Sequence, residues 1–165
     1  MFIFLFLACT QNVQDTGVCN LSVTDKANNL SEQQKEISEI IENQLKQMEI
    51  SDNIIAAAIV NAVAESNLDP NAIGDNGKSV GAFQLHKNGL GHKLTTEERQ
   101  NIFTNTNVIG IQILKNSNLT KMDENYCSIP DLAATFASDI LRPSNIEQEK
   151  YNRRQLASII FPQRL

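Results

Sequence analysis

Along this chain, apolar positions form a one-sided stripe in one segment and cover every side of the next. From Ser31 to Ile50, Ile37, Ile40, Ile41, Leu45 and Met48 recur at helical spacing, which predicts an amphipathic helix with Ser31 as its cap. Glu32, Lys35, Glu36, Glu39, Glu42 and Lys46 are predicted to face solvent on the other side. Asn53 to Ala64 is different, with Ile54, Ile55, Ala56, Ala57, Ala58, Ile59, Val60, Ala62 and Val63 interrupted only by Asn61. A run apolar all round predicts a helix inside a core rather than lying on one. It stops at Glu65.

Turn formers follow: Asn67, Asp69, Pro70, Asn71, Gly74, Asp75, Asn76 and Gly77. Asn76-Gly77 is the pair that favours a tight hairpin. Leu85 to Gly91 reads as a loop whose glycines suit turns. Thr95-Thr96-Glu97-Glu98 is a capping-box pattern that opens a helix, and Asn107 to Lys115, with Val108, Ile109, Ile111, Ile113 and Leu114, predicts another buried one. Pro130 suits the first turn of a helix running to Ala137. After Arg142-Pro143 comes a charged helix with Arg153-Arg154 and an apolar end at Leu156, Ile159, Ile160 and Phe161. The predicted fold class is mainly α with one small β-hairpin.

Packing alone does not account for Glu65. The C-terminal end of a helix is the negative pole of its dipole and disfavours a carboxylate. Partial burial disfavours the charged form again, so both effects raise the pKa. A carboxyl group that holds its proton near neutral pH is what a general acid requires. A hairpin folding back over the helix end would carry Asp75 and Gln84 towards Glu65, and Gly81 would let backbone approach a ligand closely. A plain core helix with a polar terminus explains Glu65 but not this ordered sequel.

Glu65-Ser66, the Gly74-Asp75-x-Gly77 turn and Gly81-Ala82-Phe83-Gln84 together resemble the lysozyme-like glycosidases that cut peptidoglycan. The likeness is to goose-type lysozymes, soluble-type lytic transglycosylases and phage tail lysozymes, over roughly residues 52 to 161. It implies a lysozyme-like helical domain with the hairpin at the active-site cleft, Glu65 as catalytic acid, and Asp75 as a second carboxylate that positions water. It also implies that Ser66, Gly81, Phe83, Gln84 and His86 line the sugar cleft. His86 stands where goose-type enzymes carry another carboxylate. The Phe136-x5-Arg142-Pro143 element before the paired-arginine helix resembles the end of phage tail lysozymes, which carry an acidic residue where Leu141 stands. Arg142 either pairs with a cleft carboxylate or caps the preceding helix.

Composition narrows the partners. The chain has 165 residues, 41% of them hydrophobic, and no Trp, so any stacking on sugar falls to Phe83, Tyr126 or Tyr151. A net charge of −5 argues against nucleic acid and anionic membrane surfaces. His86 and His92 are the sole histidines, and their spacing fits no metal motif. No cofactor is implied. Lys87, His86 and His92 either meet glycan groups or form a solvated loop.

Residues 1-8 read as the apolar core of an export signal, without the usual basic residues ahead of it. Leu7-Ala8-Cys9 resembles a bacterial lipobox, with Cys9 as the lipid-bearing residue; a plain secretory signal is the alternative. Residues 9-30 read as an anchored or secreted linker and 31-165 as one catalytic domain. Cys19 and Cys127 remain as a pair for a disulfide or as two thiols. The expected protein is a monomer in the cell envelope that meets membrane only through Cys9 and acts on peptidoglycan glycan strands. The rival reading is a non-catalytic glycan-binding envelope lipoprotein on the same scaffold. A Cys9→Ser variant is expected to shift from the membrane fraction to the soluble fraction; equal partitioning of variant and wild type removes the anchor.

Overall fold

Most helix starts are set by side chains that accept from otherwise unpaired backbone N–H groups. The computed structural model describes residues 22–125 and 127–162. Cys9, Cys19 and Tyr126 lie outside them, and so do the expected lipid attachment at Cys9 and any Cys19–Cys127 bridge. Helix α1 (Glu32–Gln47) begins at Ser31 with a full capping box to Gln34. Ser51 caps α2 (Asp52–Ser66), which ends where Asn67 turns left-handed at φ 60°. The Gln34 amide also donates to Asn67 Oδ1 at 2.7 Å, tying the start of α1 to the end of α2. Thr95 opens the short α3 (Thr96–Gln100) with the predicted capping box. Asn101 then caps α4 (Ile102–Lys115) and Asn116 caps α5 (Ser117–Glu124). Ser128, with Pro130 in the first turn, starts α6 (Ile129–Phe136). A π-helical stretch, Ala137–Leu141, extends α6, and α7 (Ile146–Ile160) closes the described chain.

The described protein is therefore mainly helical. Helix α2 is its axis, with Ile54 through Ala62 all buried. It packs against α1, α6 and α7, while α1 also packs on α4. A three-stranded antiparallel sheet in the order β1-β2-β3 sits beyond the end of α2. Strand β1 (Ile73–Gly74) pairs with β2 (Ser79–Val80) through the predicted hairpin, in which Asn76 and Gly77 both take positive φ. Strand β3 (Leu85–His86) pairs with β2, Val80 opposite Leu85. No helix among the described residues is long and apolar enough to cross a membrane.

Several expectations are corrected. Leu85–His86 is a third strand, not loop. Helix α4 starts at Ile102 rather than Asn107, and it is only half buried, since Ile111 and Leu114 are exposed. Helix α5 was not expected at all. Residues 22–30, read as linker, belong to the folded domain: Val23 and Ala27 are buried in the core and Asn28 N–H donates to Ile160 O at 2.8 Å.

Glu42, expected at the surface, is buried instead. Its carboxylate accepts from Val23 N at 2.9 Å, from Thr24 N and Oγ1 at 2.8 Å each, and from Lys46 Nζ at 2.7 Å. Burial pushes its pKa up, but Lys46 and the Val23 and Thr24 donors outweigh burial, so the carboxyl lies below its ordinary 4.5. A depressed pKa contributes stability above the unfolded value and loses it as pH falls through the folded one. Glu42→Ala is expected to destabilise the fold at neutral pH by at least about 1–3 kcal/mol, the penalty for a buried donor left unpaired. In denaturant unfolding the gap to wild type should narrow on acidification below pH 4.5; a gap independent of pH contradicts this role.

Candidate active site

Glu65 and Asn61 lie one turn apart on α2, so they share a face. That face meets α7, and Arg153 reaches across from it. Its side chain is 5% exposed. The guanidinium donates through Nε to Asn61 Oδ1 at 3.0 Å, through Nη2 to Glu65 Oε1 at 2.5 Å, and through Nη1 to Glu149 Oε2 at 2.5 Å. Asn61 is itself fixed, donating to Ala57 O at 2.8 Å and Ala133 O at 3.0 Å. One buried cation thus joins two carboxylates and an amide, and it stands near the C-terminal end of α2, which has no basic residue in its own last turn.

The Glu65 side chain keeps 21% of its surface exposed and opens on a cavity of ≈ 870 Å³. Burial is the largest influence on its carboxyl and pushes the pKa up. Arg153 pulls it down by charge and hydrogen bond, Glu149 and Asp75 push it up again, and the balance lies above 4.5. Asp75, Phe83, Gln84, His86, Asp139 and Arg142 line the same cavity. Asp75 comes from the turn after β1 and accepts a short hydrogen bond from Ser79 Oγ.

The sheet is anchored from behind by two buried residues that the sequence pattern did not single out. Arg99 donates through Nη1 to Lys78 O at 2.7 Å and to Leu85 O at 3.0 Å, clasping the strands. Asn105 on α4 donates to Arg99 O at 2.6 Å and accepts from Phe83 N at 3.1 Å.

The expected site residues divide. Glu65, Asp75, Phe83, Gln84 and His86 meet at the cavity, whereas Ser66 and Gly81 do not line it. Ser66 Oγ donates to Ala82 O at 2.8 Å, joining the helix end to the turn before Phe83. Gly81 has φ +86°, and a Cβ there would stand 2.2 Å from Arg99 O and 2.3 Å from Asn105 Nδ2; the close approach is to the protein's own chain, not to a ligand. Phe83 is 1% exposed and stacks on Phe136 with ring centroids 6.4 Å apart, so it is a wall rather than a platform. Gln84 donates through Nε2 to Gly81 O at 3.0 Å and Ala72 O at 3.3 Å, which commits its amide nitrogen to the turn. His86 Nδ1 accepts from Asn88 N at 3.1 Å. Tyr151 is exposed on α7 and takes no part in the cavity. Arg142 lines the cavity while donating through Nε to Asp139 O at 3.2 Å.

No protein-family model, curated protein or solved structure matches this chain.

A carboxyl whose folded pKa is raised binds its proton more tightly folded than unfolded. Its contribution is full below the unfolded value and is lost as pH rises through the folded one. Glu65→Gln mimics the neutral form. It is expected to melt with wild type at acidic pH and to melt higher as pH rises past the Glu65 pKa, since Arg153 keeps Glu149 and Asn61. A variant that melts well below wild type at neutral pH would mark Glu65 as a structural ion-pair partner instead.

Proposed function

We propose that this protein is a peptidoglycan glycosidase with a lysozyme-like domain, cleaving the β-1,4 bond between N-acetylmuramic acid and N-acetylglucosamine in the cell envelope. The observation that carries the reading is Glu65, a half-dry carboxyl at the end of a buried helix, opening on a cleft that Asp75 reaches from the hairpin. In the proposed reaction Glu65 gives its proton to the glycosidic oxygen as the bond from that oxygen to the sugar's C1 breaks. A nucleophile then adds to C1. If it is water, Asp75 orients it and its spare proton leaves to a carboxylate, giving a reducing sugar. If it is the muramic acid's own 6-hydroxyl, its oxygen bonds to C1, its proton passes to the now ionised Glu65, and an anhydro ring closes. A second carboxylate on the same cleft favours hydrolysis. The residues of the site call for no cofactor.

The non-catalytic glycan-binding reading is supported by one observation: Glu65 already accepts from a buried arginine at 2.5 Å, the geometry of a structural pair.

Mass spectrometry of purified peptidoglycan treated with the wild type separates these. Fragments ending in reducing muramic acid are expected, with Asp75→Asn binding glycan strands but releasing few fragments. Anhydro ends, unaffected by Asp75→Asn, would replace water with the 6-hydroxyl as nucleophile. No fragments at all, with glycan still bound, would establish the non-catalytic reading.

A further inference from the structure

Two carboxylates share Arg153, and they stand at opposite kinds of helix end. Glu65 stands at the C-terminal end of α2, while Glu149 stands in the first turn of α7. A helix's negative pole opposes a carboxylate and its positive pole supports one. One guanidinium shared by two carboxylates leaves one negative charge over, around an arginine side chain only 5% exposed. A proton relieves that excess, and the negative pole of α2 favours its place on Glu65. We propose that Glu149 is a positioning residue for the glycosidase site: by taking Nη1 of the Arg153 guanidinium, it leaves Glu65 able to carry the proton that a one-to-one ion pair would expel. This rests on the glycosidase reading for its consequence but not for its geometry.

The other charged groups at the cleft come from other elements. Asp75 and His86 belong to the sheet region, and Asp139 and Arg142 to the stretch after α6. Asp75 adds to the charge that favours a proton on Glu65. Asp139 and Arg142 are of opposite sign, and Arg142 Nε donates to Asp139 O.

The test is the titration of the Glu65 carboxyl by carbon NMR in wild type, Glu149→Gln and Glu147→Gln, alongside the pH profile of peptidoglycan cleavage. Glu147 is on the same turn of α7, with its side chain 85% exposed, and pairs with Lys150 rather than Arg153. In Glu149→Gln, Glu65 is expected to titrate at lower pH, and the alkaline limb of cleavage should move the same way. The rate above neutral pH should fall several-fold while the plateau at lower pH stays near wild type. Glu147→Gln, which removes the same charge without touching Arg153, should move neither. Glu149→Asp, with a shorter reach to Arg153, should shift Glu65 in the same direction by less, and it serves if the Gln variant does not fold. Identical Glu65 titration in wild type and Glu149→Gln, or an equal shift in Glu147→Gln, overturns the proposal. A wild type that cleaves nothing fails the glycosidase reading, while the titration still decides the role of Glu149.

Discussion

A guanidinium cannot be buried without acceptors on every side, and Arg153 meets that requirement with residues from both helices it joins. Asn61 and Glu65 on α2 take two of its edges and Glu149 on α7 takes the third. These bonds tie α7 to α2 through one buried charge, so the arrangement fixes how α7 lies against α2. The same arrangement sets the chemistry of Glu65. It is held at the end of an apolar helix, is close enough to solvent to meet a ligand, and shares its cation with a second carboxylate.

A second buried arginine does comparable work for the other half of the cleft. The strands are only two residues long, too short to hold a sheet by their own ladder. Arg99, fastened through Asn105 to α4, clasps the backbone on both sides of β2. Gly81 is required because any side chain there would strike this clasp. The turn bearing Asp75 is thereby tied to the helical body, and the cleft is lined by residues of both. Gln84, which lines it, commits its amide nitrogen within the protein, and the expected cleft residue Ser66 bonds to Ala82 O instead. On the proposed function, sugar contacts in this cleft would rest on fewer side chains than the motif alone implies.

Local signals in the sequence were legible because their physics is local. Ser31, Thr95 and Pro130 mark helix starts through bonds made within one turn, and Asn76-Gly77 specifies a backbone conformation that few other pairs adopt. The apolar run before Glu65 showed its burial by having no polar side. Long-range pairs left no such trace. Glu65 and Arg153 are 88 positions apart, and Arg153 reads locally as one of two arginines on a charged helix. Glu42 sits among five other charged residues of α1, and only the fold of residues 22–24 over it makes it buried. Strand β3 is too short to show alternation, and α5 is a polar helix specified mainly by the Asn116 cap. The exposed Ile111 and Leu114 misled in the opposite sense: apolar residues on every side of α4 suggested burial that the packing supplies on one side only.

The two carboxyls and their cleft support cleavage, whereas the tight contact between Glu65 and Arg153 supports a structural role. They differ in what a neutral isostere does. The most direct measurement is loss of peptidoglycan turbidity with folded Glu65→Gln beside wild type. Wild type should clear the suspension and the variant should be slower by roughly two to four orders of magnitude, the usual worth of a general acid. Clearance by Glu65→Gln at the wild-type rate would contradict the assignment of Glu65 as the acid.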